Sequence, residues 1–401
     1  MNFKRRKKII VSMSPKDPAL FQKMAGPTGQ AGGIKERKKV VVAMSGGVDS
    51  SVAAALLKRA GFNLIGVFMK FWRDAGFSEN RCCSSEAEKR ARKVAKILKI
   101  PFYVFNFEKE FKKRIVNCFL KEYKKGKTPN PCVVCNKEIK FGLLLEKALA
   151  LDADFVATGH YTRLRREFPI SKSQFPNIKL LKGKDKEKDQ SYFLWKLNQN
   201  QLNRILFPIG DYTRSEVEKL AKKFRLPVLS AKKSVEICFI KSTVNDFLKK
   251  HLKEKPGKII TREGKIIGKH QGLWFYTIGQ RKGIKLPSGP YYVIAKDFKK
   301  NLLMVSKNEK DLAKKELTAQ NVNWIHPVKC RGAAISRDPK LFNRVKAKIR
   351  YRHGAASAIV YKLKTKNYKL TFSKPQRAIT PGQSVVFYKG DELLGGGTIE
   401  R

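Results

Sequence analysis

From Lys38 to about residue 245 the hydrophobic and polar positions alternate between two periods. KKVVVAM is a short continuous apolar run, the pattern of a strand buried on both faces. VDSSVAAALLKRAG follows with apolar positions three and four apart, predicting a helix that ends at Gly61. NLIGVFMKFW predicts a second strand. SSEAEKRARKVAKILKI reads as an amphipathic helix opened by a Ser85-x-x-Glu88 capping box. PFYVFNF is a third strand, EKEFKKRIVNCFLKEYKKG and FGLLLEKALALD are further helices, and FVATGHY is the end of another strand. A second capping box, Thr213 to Glu216, opens a helix in DYTRSEVEKLAKKFRLPV. This alternation predicts an α/β domain whose parallel sheet carries helices on both faces. Ligands of such sheets bind at the carboxyl ends of the strands, where Met44, Met69 and Gly159 fall.

Beyond about residue 245 the period shortens. KIITREGKIIGKH, LWFYTIGQRKGI, GPYYVIAKD and LLMVSK are short apolar runs divided by Gly, Pro and Asn. RVKAKIRYRH, AIVYKL, YKLTF, SVVFYKG and ELLGGGTIE continue the theme. The expected organisation is a basic flexible extension over 1–37, an α/β domain over 38–245, a small β-rich domain over 246–312 and a β-barrel, six-stranded or similar, over 313–401.

Charge changes the picture. The 401 residues hold 87 Lys+Arg against 33 Asp+Glu, a net +54. Such an excess repels itself unless an anion meets it, and nucleic acid is the first candidate. Lysine used only to solvate the surface is the bland alternative. No apolar run is long enough to span a bilayer, and IIV near the N-terminus is too short for a signal peptide, so a cytoplasmic protein is expected. Seven cysteines, an odd number, argue against a disulfide framework and for reactive or metal-binding thiols.

AMSGGVDSS, residues 43–51, follows a strand and opens a helix. Gly46 and Gly47 let the backbone turn and approach an anion, Ser45, Ser50 and Ser51 offer hydroxyls, and the helix start offers free N–H groups. No G-K-[ST] follows, so this is not a Walker loop. SGGVDS resembles the signature of the PP-loop ATP pyrophosphatases, with Asp49 placed to help position metal and phosphates. Cys132 and Cys135 stand in NPCVVCN and Cys238 in SVEICFIK. The adjacency of Cys82 and Cys83 is poor for a tetrahedral ion, so no zinc site is expected. Lys137 and a helix start after Cys135 are expected to make its surroundings electropositive, as a reactive thiol requires. Cys118 is expected in the core, Cys82, Cys83 and Cys330 as inert, and His326 and His353 as non-ligands.

AMSGGVDSSVAAALLK, GVFMKFW, TPNPCVVCNKEIKFG, ATGHY, KDQSYFL, VEICFI, FYTIGQRKG, KIRYRH and AITPGQSVVFY occur in this order over roughly residues 38 to 400. Together they resemble the tRNA-uridine 2-sulfurtransferases, also called tRNA-specific 2-thiouridylases. The resemblance implies ATP-dependent 2-thiolation of a wobble uridine, through adenylation of the base and sulfur transfer from a cysteine persulfide. It implies ATP with Mg²⁺ bound by Ala43, Met44, Ser45, Gly46, Gly47, Val48, Asp49, Ser50, Met69 and Gly159. Cys135 matches the nucleophile and Cys238 the persulfide carrier, the two ending as a disulfide. Asn130, Pro131 and Cys132 match the segment facing the target base. His160, Lys188, Asp189, Gln190, Arg350, Tyr351 and Gln383 match tRNA-contacting positions. The implied partners are tRNA and a persulfide donor, a relay protein or cysteine desulfurase; a monomer is expected. Many relatives carry Asp where this chain has Cys132, so its acid/base role differs here. A second route, an iron–sulfur cluster on Cys132, Cys135 and Cys238, stays open. So do a PP-loop ligase of a small molecule, needing neither Cys135 nor Cys238, and a tRNA-binding protein with no turnover.

Overall fold

The computed structural model describes residues 9–12, 15–16, 18–26, 37–74, 83–168, 177–228, 237–284, 286–326, 344–363, 365 and 367–400. The chain divides into two compact units. One comprises 1–114, 132–241 and 391–393, the other 115–131, 242–390 and 394–401.

The first unit is built on the strands β2 (Lys39–Ala43), β3 (Asn63–Lys70), β4 (Phe102–Asn106), β5 (Phe155–Ala157) and β8 (Ile205–Leu206). They form one parallel sheet in the order β4-β3-β2-β5-β8. Val40, Val41 and Val42 of the central strand have no exposed surface, which is why KVVVA reads as a continuous run. The chain runs outward from β2 to β4 and then returns to β5 on the other side. This reversal opens a crevice at the carboxyl ends of β2 and β5, the usual ligand position of such a sheet. The Val48–Arg59 helix follows β2 directly, buries Val52 to Ala55, and ends at Gly61 with φ +90°. The Ser85–Ile97 helix is capped one residue earlier than the sequence suggested: Ser84 Oγ accepts the Ala87 N–H at 3.1 Å. Glu88 is therefore free of the cap and pairs with Lys70 and Arg92. The Thr213–Glu216 box forms as expected, with both reciprocal hydrogen bonds.

Beside the sheet, β6 (Thr162–Phe168) and β7 (Asn177–Lys182) form an antiparallel hairpin. Glu392 and Leu393 pair with β7. The expected flexible extension needs correcting. Ile9–Ser12 is strand β1, paired antiparallel with β6, and Pro18–Ala25 is a helix whose Phe21 packs edge-on against Phe62 at 5.4 Å. Residues 9–12 are an apolar run that adds to an open sheet edge, and Phe21 has a core to enter. The remainder of the 1–37 extension lies largely outside the described residues.

In the second unit, β9 (Gly257–Ile260), β10 (Ile266–His270), β11 (Tyr292–Asp297) and β12 (Leu302–Ser306) make a four-stranded sheet in the order β10-β9-β12-β11. The strands β13 (Ala313–Trp324), β14 (Arg344–Lys348), β15 (Ala356–Lys362), β16 (Tyr368–Arg377), β17 (Ser384–Lys389) and β18 (Glu392–Ile399) run β18-β13-β16-β15-β14-β17. Since β17 also pairs with β18, the ring closes into a six-stranded barrel and leaves no open edge. Val360, Leu370, Val385 and Phe387 fill it. Arg350 and Tyr351, expected on a strand, lie in the turn after β14.

The barrel core sets a stability prediction. Phe387 is fully buried with Trp324 at 5.1 Å between ring centroids, so Phe387→Ala should cost ~3–5 kcal/mol. Urea unfolding followed by Trp fluorescence would register it as a lowered midpoint.

Candidate active site

The loop between β2 and its helix is shaped by two glycines and their neighbours. Gly46 has φ +71°, and a Cβ there would run into the Ala87 carbonyl oxygen. Gly159, two residues beyond β5, comes in from the other side: a Cβ there would sit 2.7 Å from both Asp49 C and Ser50 N. Ser50 Oγ accepts the Ser45 N–H at 3.1 Å and shares a hydrogen bond with Ser45 Oγ at 3.2 Å, while Ser50 and Ser51 hydroxyls donate to the Gly47 carbonyl. The cap residue of the helix is Gly47, with no side-chain cap, so the first helical N–H groups remain available to an anion. Ala43, Met44 and Val48 are buried and contribute only backbone here. Met69 sits half-buried near the end of β3.

Asp49 is held from two sides. Its Oδ1 accepts the Tyr161 hydroxyl at 2.7 Å and the Arg214 guanidinium at 2.6 Å. Arg90 Nε donates to the Gly46 carbonyl at 3.1 Å. Tyr161, Arg214 and Arg90 were not picked out from the sequence. Tyr161 was hidden in the GHY motif behind His160, and Arg214 reads as an ordinary helix residue.

The three thiols of interest fall in the same unit and act on one another. Cys132 and Cys135 belong to the short Pro131–Cys135 helix, and Cys238 arrives from a separate segment. Burial pushes Cys132 up to about 12, with the nearby Cys238 adding to the effect and Lys140 opposing it. Burial likewise pushes Cys135 up to about 12, against the pull of Lys140. Cys132 retains some accessible surface although protein atoms crowd it, whereas Cys135 is 8% exposed. The expected electropositive setting does not prevail: burial outweighs the nearby cation. A helix does start just after Cys135, the π-helical Asn136–Leu143 that continues Pro131–Cys135, but Lys137 is paired with Glu138. The acting cation is Lys140. Wide π-helical winding over Asn136–Leu143 brings positions five apart onto one side, as Cys135 and Lys140 are. That winding cannot be seen in the residue pattern, which is why Lys140 escaped notice. Among the described residues no three His, Cys, Asp or Glu side chains gather as a metal site.

Asn136, next to Cys135, is buried and donates to the Phe193 carbonyl at 3.3 Å. His160 is buried between the rings of Phe141 and Phe207, and its Nδ1 shares a 2.6 Å hydrogen bond with Thr158 Oγ1. Burial, then the charge of Lys140, holds it well below the usual imidazole range, so it stays neutral. In the KDQ stretch only Lys188 is exposed. Asp189 is buried and accepts the Gly183 and Ser191 N–H groups, and Gln190 clasps the Tyr161 backbone.

The remaining candidates belong to the second unit. Gln383 Nε2 donates to the Thr128 carbonyl at 2.9 Å, and the Thr128 N–H donates to the Pro381 carbonyl at 2.8 Å, just before Asn130 and Pro131. Arg350 donates to the Ala378 carbonyl and to Thr380 Oγ1 at 3.0 Å, and Tyr351 is half-buried beside it. Cys118 is exposed, contrary to expectation: its helix turns Phe119 and Tyr123 inward instead. Cys83 and His353 are half-buried, Cys83 near the Phe71 carbonyl. Cys82 and Cys330 lie outside the described residues.

Known proteins resemble this chain along most of its length. Residues 38–242 match the family model described as tRNA methyl transferase HUP domain, 245–307 the tRNA methyl transferase PRC-barrel domain and 314–399 the aminomethyltransferase beta-barrel domain. The chain is 46% identical over 367 residues to the tRNA-specific 2-thiouridylase MnmA of Moorella thermoacetica, covering 90% of this chain and 99% of that one. It is 43% identical over 376 residues to the MnmA of Carboxydothermus hydrogenoformans, covering 91% and 98%. The MnmA of Bacillus licheniformis is 44% identical over 371 residues, covering 91% and 95%.

Two outcomes follow from the geometry. Gly46→Ala should disrupt nucleotide binding, because the added methyl displaces either the loop or the Ser85–Ile97 helix; equilibrium binding of ATP tests this. Because Cys135 is a buried thiol raised toward 12, its alkylation by iodoacetamide should be slow at pH 7.5 and still rising above pH 9, long after exposed Cys118 has reacted. Mass spectrometry of timed samples reads both sites.

Proposed function

Because the chain belongs to the tRNA-specific 2-thiouridylase family, we propose that it performs ATP-dependent 2-thiolation of the wobble uridine of tRNA, with the sulfur delivered as a cysteine persulfide. The observation that carries this reading is the pairing, within one unit, of a phosphate-binding loop at the sheet's carboxyl edge with thiols from two separate segments. Methyl transfer, named in the domain descriptions, needs neither a phosphate loop nor a second thiol.

The residues fit the substrates. The glycine turn, the uncapped helix start and Asp49 suit the triphosphate and Mg²⁺ of ATP, whose bound form supplies an adenylyl group to the uridine C2 oxygen as pyrophosphate leaves. The terminal sulfur of a persulfide on Cys238 then attacks C2 and displaces AMP. Cys135 attacks the Cys238 sulfur, freeing 2-thiouridine and leaving a Cys135–Cys238 disulfide for an external thiol to reduce. Cys135 must lose its proton for that step. Lys140 favours the thiolate by its charge, and Cys132 stands where many relatives carry an Asp. Asn130, Pro131 and Cys132 are the segment we assign to the flipped base. For tRNA we assign His160, Lys188, Asp189, Gln190, Arg350, Tyr351 and Gln383. Of these, exposed Lys188 is suited to direct phosphate contact, while buried Asp189 and His160 are suited to shaping the loop and pocket. The net +54 supports a long polyanionic partner. No helix among the described residues is long and apolar enough to cross a membrane. A cytoplasmic monomer served by a cysteine desulfurase or relay protein completes the reading.

The test is 2-thiouridine formation on unmodified tRNA with Mg²⁺·ATP and a persulfide donor, using anaerobically purified protein. Cys135→Ala and Cys238→Ala should each abolish product, about 10³-fold or more, and Cys132→Ala should lower it without abolishing it. Iron bound in stoichiometric amount and lost from all three variants would overturn the persulfide route. Thiolation undiminished in Cys135→Ala would overturn the reading altogether.

A further inference from the structure

Arg214 stands where its helix does not want it. It is the first residue of the Arg214–Lys223 helix, at the positive end of the helix dipole, where a cation is disfavoured and Glu216 is the expected kind of neighbour. Its side chain is only 29% exposed. Its own N–H is held by Asp185 Oδ2 at 2.8 Å and its Nε by Glu218 Oε1 at 2.8 Å, so the guanidinium is aimed rather than loose. What it is aimed at is Asp49, in the phosphate loop.

Tyr161 reaches the same atom. Its backbone is fixed twice by Gln190, whose Oε1 accepts the Tyr161 N–H at 3.0 Å and whose N–H donates to the Tyr161 carbonyl at 2.9 Å. Burial, and then the negative charge of Asp49, raises the Tyr161 hydroxyl far above the usual phenol range, so it remains a donor. Burial works against the Arg214 charge, but Asp49 and Glu218 more than offset this and its proton is held more tightly than usual. Two firm donors therefore converge on Oδ1, while Oδ2 of Asp49 takes no protein hydrogen bond among the described residues. The side chain is 31% exposed, so a ligand can reach it. A bare carboxylate in a triphosphate cradle would repel the nucleotide. A carboxylate turned and neutralised through one oxygen offers the other as a single metal ligand.

We propose that Tyr161 and Arg214 are positioning residues of the nucleotide site, which orient Asp49 through Oδ1, offset its charge against the triphosphate, and leave Oδ2 for the Mg²⁺ of Mg²⁺·ATP. This rests on reading the loop as the ATP site. It adds two residues to that site and ties it, through Gln190, to the loop that carries Lys188.

Calorimetric titration of the full-length protein with Mg²⁺·ATP, in the absence of tRNA and sulfur donor, tests it without recourse to turnover. The wild type is titrated first; failure to bind would overturn the functional reading itself. With binding established, Tyr161→Phe, which removes only a hydroxyl, and Arg214→Gln should each weaken it about tenfold. Arg214→Lys, which retains the charge, should recover most of the loss. Asp49→Asn combined with Arg214→Gln should bind no worse than the weaker single variant, because both act through one carboxylate. Wild-type affinity in Tyr161→Phe and Arg214→Gln, or losses that multiply in the double variant, would overturn the proposal.

Discussion

Close approach of backbone to backbone at the carboxyl edge of the parallel sheet is the constraint on which the site depends. Gly46 lies against the Ala87 carbonyl, and Gly159 lies against the peptide joining Asp49 and Ser50. No side chain fits at either place. These two contacts fix where the Val48–Arg59 helix begins, and so where its free N–H groups and Asp49 stand. Tyr161 follows Gly159 by two residues, so the close approach that excludes a Cβ at 159 also brings the Tyr161 hydroxyl to Asp49. The cradle and the residues that hold its carboxylate share one geometric cause.

The thiols obey a different logic. A nucleophile is more reactive as a thiolate, yet burial makes Cys132 and Cys135 reluctant acids. Oxidation follows thiolate character and exposure, so burial of this kind disfavours it. Lys140 partly counters burial, and it does so by virtue of the π-helical winding after Cys135, a departure from α geometry that costs hydrogen-bond quality and is found most often at functional sites.

The approach to Cys132 is held separately. Thr128 is clasped by Pro381, Gln383 and Thr277 inside the second unit, where Gly382, at φ +91°, lets the barrel loop come close enough that a Cβ would sit 2.8 Å from the Thr128 nitrogen. The chain then passes from Pro131 to Cys132 and so from the second unit to the first. A segment anchored this way cannot shift without disturbing the barrel loop that bears Gln383.

Local chemistry was enough to read β2 to β5, most helices, the Thr213 cap, the β-rich character of the second half and the glycine loop, because each depends on residues within one element; β6, β7, β8 and the long β13 were not expected from it. KVVVA declares a doubly buried strand, and SGGVDS between a strand and a helix declares an anion cradle. The thiol set could be read only by resemblance, since nothing in the spacing of Cys132, Cys135 and Cys238 says that they act on one another. Departures arose where the choice fell between adjacent residues of one element, or where a partner distant in sequence made the decision. Ser84 rather than Ser85 capped its helix, Cys118 turned outward because Phe119 and Tyr123 took the core side, and residues 9–12 found a sheet edge to join. Arg214 and Lys140 could not have been found at all. An arginine at a helix start and a lysine in a basic run acquire meaning only when folding sets one beside Asp49 and the other beside the thiols, because electrostatic influence depends on distance in space and the sequence records only distance along the chain.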